Sequence, residues 1–258
     1  MPSTNQRLWS REQLIIAFNL YCKIPFGRID QTNPAIIALA DVLRRTPAAV
    51  AWKLANFARL DPSLKARGVK GASHGSKGEV EVWEEFNNNW DSLAFESERL
   101  LAQLTNQSVE ELNHLDEDEL PKEGKERERL VKVRVNQRFF RTTVLASYES
   151  RCCITGLAIP SLLSASHIAP WAKDPNNRMN PRNGLCLSVL HHAAFDSGLI
   201  TITPDFRVRV TSNLKESLTD EVGHAFFSRY DNQPVRMPRR FLPDPVLLAW
   251  HNKQRFVN

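Results

Sequence analysis

The stretch from Arg151 to Ile202, RCCITGLAIPSLLSASHIAPWAKDPNNRMNPRNGLCLSVLHHAAFDSGLITI, leaves room only for small elements. A hairpin begins at CCITG, and an apolar strand around Leu162 and Leu163 leads into His167. The loop WAKDPNNRMNP then separates that histidine from Asn183. Ser188 is placed to cap a helix and Gly198 to stop it, which predicts one short helix over Val189–Ser197. Within it His192 and Asp196 are four residues apart and share a face, the geometry that two ligands of one ion require. His191 sits about 100° around the same helix and ranks behind His192 as a ligand.

A neutral imidazole at His167 can take a proton from water near physiological pH. Taken in order, the CCITG lead-in, SHIAPW, NPRNGLCL and HHAAFDSGLITI resemble the HNH nucleases, over roughly Gln137 to Arg209. The resemblance implies a ββα-metal unit in which His167 is the general base, Asn183 fixes the backbone and orients that base, and His192 with Asp196 holds a metal ion. One position departs from the pattern. Many HNH proteins carry aspartate or histidine immediately before the base, completing the metal shell, where this chain has Ser166. A serine hydroxyl is a weak ligand, so water and the scissile phosphate would supply the remaining ligands. That suits Mg²⁺ or Mn²⁺ better than a closed zinc site. Loss of activity is the other reading of Ser166.

Cysteine usage agrees with the absence of a structural zinc. Cys152 and Cys153 are adjacent, Cys186 has no second cysteine nearby and Cys22 is remote, so neither a CxxC knuckle nor a disulfide framework is expected. No run of eighteen apolar residues exists and MPSTNQRLWSREQ does not read as a secretory signal, so a cytoplasmic protein with no membrane partner is expected. The net charge of +5 leans toward a polyanionic partner.

In the N-terminal half, Ser10 caps a helix whose Leu14, Ala17, Phe18 and Tyr21 share a face; IPFGRID breaks it. A second helix follows Asn33-Pro34 and stops at Arg44-Arg45, and Thr46-Pro47 restarts the chain at once. IIALADVLRRTPAAVAWKLANF thus reads as a helix-turn-helix. Its second helix would offer Lys53, Asn56 and Arg59 to DNA while Trp52, Leu54 and Phe57 face the core. The loop ARGVKGASHGSKGE, with Lys70, His74 and Lys77, suits phosphate contact as the wing of a winged helix does.

Charged residues crowd NQSVEELNHLDEDELPKEGKERERL, which is expected to connect two domains. Leu130 to Val135 then give way to a helix carrying Arg138 and Arg141, with Arg134 just ahead of it. These arginines and Arg178 are candidate phosphate contacts. The reading is an α+β chain in three parts: a mainly α, helix-turn-helix or winged-helix-like DNA-recognition domain at 1–104, a connector at 105–133, and a ββα-metal nuclease domain at 134–258. The function implied is that of a bacterial restriction endonuclease, with double-stranded DNA as substrate and the N-terminal domain reading a site or a base modification. Cutting both strands would favour a homodimer. A DNA-binding regulator that keeps the fold without activity is the alternative, and a homing or toxin nuclease is a third possibility.

Overall fold

The computed structural model describes residues 8–68, 75–174, 177–217 and 220–256. Two compact units divide the chain, residues 1–138 and 139–258.

The first unit is helical: α1 (Arg11–Lys23), α2 (Pro34–Val42), α3 (Pro47–Ala58), α4 (Pro62–Ala66), α5 (Lys77–Phe86), α6 (Trp90–Thr105) and α7 (Val109–Leu112). Side chains cap the starts of α1, α2 and α3, two of them, Ser10 and Thr46, as expected. Ser10 and Gln13 form a capping box on α1, the Asn33 side chain accepts from Ala35 N–H before α2, and Thr46 does the same for Ala49 before α3. Arg44 turns between α2 and α3 with φ of 51°. The core gathers around Phe18, whose ring lies 4.9 Å from Phe57 and 5.1 Å from Trp83.

Two expectations for this unit are corrected. Lys53 and Asn56 are buried, not presented to DNA, because the wholly buried carboxylate of Glu79 draws both inward. Its Oε1 pairs with the Lys53 ammonium and accepts from Asn56 Nδ2 at 2.9 Å. Trp52, expected in the core, is 61% exposed. No strand occurs among the described residues of this unit, and residues 69–74 of the loop expected as a wing lie outside them. Lys70 and His74 lie outside the described residues, and Lys77 is exposed and paired with Glu81 at 3.1 Å. Arg59 stays half-exposed, 3.9 Å from Glu79 Oε2.

Helix α8 (Lys125–Ser147) carries the division between the units. It already includes Leu130 to Val135 and Arg134, which the sequence placed ahead of the helix; the alternating valines ride on a helix because no turn residue interrupts the run from Lys125. The charged stretch expected as a connector holds α7, a short turn at Glu117–Glu119 and the opening of α8, all in the first unit. Arg134 lies 3.4 Å from Glu119, and Arg138 donates to the Asn113 carbonyl.

The second unit is built on two small antiparallel sheets. Strands β1 (Leu163–His167) and β2 (Gly184–Ser188) pair with Leu163 opposite Ser188 and His167 opposite Gly184. Helix α9 (Val189–Asp196) follows at once, and β3 (Ile200–Ile202) pairs with β4 (Val208–Val210) around the expected turn. Short helices α10 (Ser212–Ser217) and α11 (Glu221–Phe226) precede α12 (Pro245–Gln254).

Helix α12 braces α9 from its far end. His251 stacks on Phe195 with ring centroids 3.7 Å apart and takes a hydrogen bond with Thr201 through Nδ1 at 2.8 Å. Burial pushes its pKa down to about 4, so the ring is neutral. Arg255 Nη2 donates to the Asp196 carbonyl at 3.1 Å. Gly198, at φ of 73°, ends α9 where a Cβ would overlap the Arg255 carbonyl.

Removing the Glu79 carboxylate strands a buried ammonium. Glu79→Ala is expected to destabilise the first unit by about 3–5 kcal/mol, measured by chemical denaturation; a loss near that of an ordinary surface substitution would refute the buried-pair assignment.

Candidate active site

The candidate site is assembled from the two strands, the loop between them and the helix that follows. Ser188 starts α9 with its side chain accepting from His191 N–H. Because β2 runs directly into α9, the helix returns along the sheet and brings His192 against β1. There Ser166, wholly buried, lies 2.7 Å from His192 Nδ1 through its hydroxyl. The other ring nitrogen, Nε2, is 3.6 Å from Asp196 Oδ2, as the four-residue spacing dictates. Both side chains remain partly open to solvent.

His167 ends β1. Opposite it, Gly184 has no Cβ, and one built there would overlap Val144 Cγ2 and crowd Phe140. The Phe140 ring therefore lies flat on the His167 imidazole, 4.0 Å away with 6° between the planes, and Trp171 meets that ring edge-on at 5.7 Å. His167 Nε2 is 2.9 Å from the Arg178 carbonyl. A carbonyl only accepts, so Nε2 carries the proton and the lone pair of the neutral ring is on Nδ1. Burial is the main influence on its pKa and lowers it from the usual imidazole value. The Arg178 carbonyl and the Asp196 carboxylate pull the other way, while His192 adds to the lowering. Asp196 and His192 are thus close enough to be felt at His167.

Asn183 is wholly buried and spends its amide on the loop. Oδ1 accepts from Ala169 N–H at 2.8 Å, and Nδ2 donates to the carbonyls of Ala169 and Asn177, both at 3.1 Å. These bonds close the chain just after His167 onto the chain just before β2. Arg178, a candidate DNA contact, instead braces this loop: its Nε donates to the Trp171 carbonyl at 2.7 Å and its guanidinium sits 5.5 Å from the Trp171 ring. Arg141 is exposed, with Nη2 3.4 Å from the Pro160 carbonyl.

His191 is removed from the ligand question. Both its ring nitrogens are engaged, Nδ1 with the Ser188 hydroxyl and Nε2 with the Phe226 carbonyl, each at 2.8 Å. Three partners lay beyond sequence reasoning: the Ser166 hydroxyl on His192, the Arg178 carbonyl on His167 and the Phe140 ring beneath it. Only the strand register would have put Ser166 beside the helix, and nothing in the residue types announces the other two.

A donor set of one imidazole nitrogen and one carboxylate, both open to solvent, fits a hard, largely hydrated divalent cation. No cluster of three or more His, Cys, Asp or Glu side chains able to hold a metal occurs among the described residues. Cys152, Cys153 and Cys186 are buried free thiols; burial pushes Cys186 up to about 12 and Cys153 well above the ordinary thiol range, so neither is a thiolate.

Residues 152–203 match a family model described as HNH endonuclease. Among solved structures, a "Modification dependent TagI restriction endonuclease" is 22% identical with a TM-score of 0.36, over 46% of this chain and 38% of that one. The chain thus spans well under half the length of that protein. No curated protein matches the chain.

Asn183→Ala leaves one buried N–H and two carbonyls of the loop without their partner, which is expected to cost on the order of 3 kcal/mol. Thermal unfolding of the full chain measures it, and an unchanged melting temperature would contradict the bracing role.

Proposed function

We propose, from the premise that residues 152–203 form an HNH endonuclease domain, that the chain is a DNA endonuclease of the restriction type. His167 is its general base and His192 with Asp196 is its cation site. The observation that carries this reading is the His167 hydrogen bond to the Arg178 carbonyl, which reserves Nδ1 as the proton acceptor. HNH nucleases generally use a divalent metal ion, and Mg²⁺ or Mn²⁺ suits the ligands here. Bound at His192 Nε2 and Asp196, such an ion would supply positive charge for the oxygens of the scissile phosphate.

The protein's own groups perform the rest. His167 Nδ1 takes a proton from water as its oxygen bonds to phosphorus, and the bond from phosphorus to the leaving deoxyribose oxygen breaks. Phe140 and Trp171 fix the ring plane of that base, and Asn183 holds the loop whose carbonyl sets its tautomer. Ser166 serves the site as an acceptor for His192 Nδ1–H, leaving Nε2 free for the ion. Ser166 in the place of a third ligand is also what favours the second reading, a DNA-binding protein that keeps the fold without cutting. A nicking assay on mixed genomic DNA with Mn²⁺ separates the two.

Selection of a site or a modified base is assigned to the first unit. Arg59, Lys70 and Lys77 remain its candidate contacts, since Lys53 and Asn56 face Glu79. In the second unit Arg141 is available for phosphate. Two chains acting together would cut both strands.

His167→Ala is expected to lower cleavage about 10²- to 10⁴-fold while DNA binding, read by mobility shift, is retained. With saturating Mg²⁺ the wild-type rate should rise with pH and level off below the ordinary imidazole value of about 6.5, because the base acts only when neutral and burial lowers its pKa. An acidic limb above neutrality would count against His167. His192→Ala should weaken Mn²⁺ binding, followed by electron paramagnetic resonance, whereas His191→Ala should lower stability and leave Mn²⁺ affinity in place. The reverse order would move the ligand by one residue.

A further inference from the structure

The first unit contains a cavity that neither its core nor the proposed chemistry uses. Helix α1 packs chiefly on α6 and α2 on α3, so α2 does not close against the α1–α6 pair. A space of about 310 Å³ remains between them, at the lower end of the range for small-molecule pockets, about 300–1,000 Å³. Its walls are aliphatic: Ile16 and Leu20 from α1, Leu39 and Val42 from α2, Leu101 from α6 and Leu112 from α7. Ala35 and Ala38 of α2 line it while exposed to solvent, which marks its opening.

Five polar side chains also line the cavity, Asn19, Lys23, Ser97, Glu98 and Thr105, and their hydrogen bonds can be followed one by one. The Lys23 ammonium pairs with Glu98, whose other oxygen accepts from Asn113 Nδ2 at 3.2 Å. Thr105 Oγ1 donates to the Leu101 carbonyl at 3.0 Å. Ser97 Oγ gives its one hydrogen to the Ala94 carbonyl at 3.1 Å, so toward Asn19 it can only accept. Asn19 therefore turns Nδ2 to Ser97, which leaves its Oδ1 buried with no partner among the described residues. Only 4% of Asn19 is exposed, and an unpaired acceptor at that depth is costly. Water is a poor remedy, because a buried water makes about three hydrogen bonds and these side chains leave it one.

We infer that the cavity is a binding site for a small uncharged molecule with an aliphatic body and a single O–H or N–H donor, which meets Asn19 Oδ1. Each part of that description answers a feature of the wall. The unmet group is an acceptor, so the ligand brings a donor. Lys23 and Glu98 neutralise each other, so the wall asks no net charge of the ligand, and burying one would be unfavourable. The volume admits about ten non-hydrogen atoms at about 30 Å³ each. Medium-chain aliphatic alcohols meet all three requirements. Such a molecule would touch α1, α2, α6 and α7 together, and so would tie α2 to helices it otherwise leaves, stabilising the unit in step with occupancy.

Calorimetric titration of the full chain tests the site with three probes of matched size: n-octanol, which carries the donor, methyl hexyl ketone, which only accepts, and heptanoate, which is charged. n-Octanol is expected to saturate one site with a dissociation constant on the order of 0.1 mM. It should bind about tenfold tighter than the ketone, with heptanoate weaker than either. Asn19→Leu is expected to bind alcohol and ketone alike. Ala38→Trp, at an exposed helical position, should block the opening and abolish binding with an unchanged circular dichroism spectrum. The wild-type ratio of alcohol to ketone reads the Asn19 contact even where Asn19→Leu disturbs folding. No saturable heat with n-octanol, equal wild-type affinities for alcohol and ketone, heptanoate as the tightest probe, or n-octanol binding that survives Ala38→Trp would each overturn the inference. None of these readouts involves DNA or cleavage, so the site stands or falls apart from the nuclease reading.

Discussion

A single buried carboxamide holds the second unit's irregular part in place. Asn183 has no exposed surface and commits its amide to three backbone groups on both sides of the loop from Ile168 to Arg182. A loop of that length carries many peptide groups that the two-stranded sheet cannot pair, and a buried group left unpaired is costly. The amide ties the loop's two ends together, and the loop in turn delivers the Arg178 carbonyl to His167. Tautomer, ring plane and strand end are thereby fixed together.

The first unit depends on a comparable device with charge in place of an amide. Glu79, with no exposed surface, gathers Lys53 and Asn56 from α3, and accepts from Ser76 N–H at the start of α5 at 3.0 Å. A buried ion pair contributes less to net stability than to fixing which faces meet. Here it sets the rotation of α3, turning the polar residues inward and leaving Trp52 outside.

The parts of the chain that were legible in sequence are those governed by near neighbours. Ser10, Thr46 and Ser188 cap the helices they were expected to cap, and the shared face of His192 and Asp196 follows from helical repeat alone. Distant partners decided the rest. Nothing in PAAVAWKLANFARL says that Lys53 will meet a carboxylate twenty-six residues later, so a polar stripe read as a solvent face became part of the core. Likewise the valines between Leu130 and Val135 suit strand or helix, and their place within α8 is set by the turns that continue on both sides. Ser166 looked like a gap in a ligand shell because its partner, His192, is twenty-six residues away and meets it only once α9 has folded back on β1.

Helix α12 gives this arrangement a direction in time. His251 packs on Phe195, Arg255 grips the carbonyl of Asp196, and the absent side chain of Gly198 is what lets the two segments touch. The helix that carries His192 and Asp196 is therefore finished by residues more than fifty positions downstream of it. During synthesis, a chain that has made its strands and both candidate ligands still lacks the clamp that aligns them until residue 255 has left the ribosome. A chain cut between β4 and α12 would hold these contacts only through packing, no longer through the backbone that joins them.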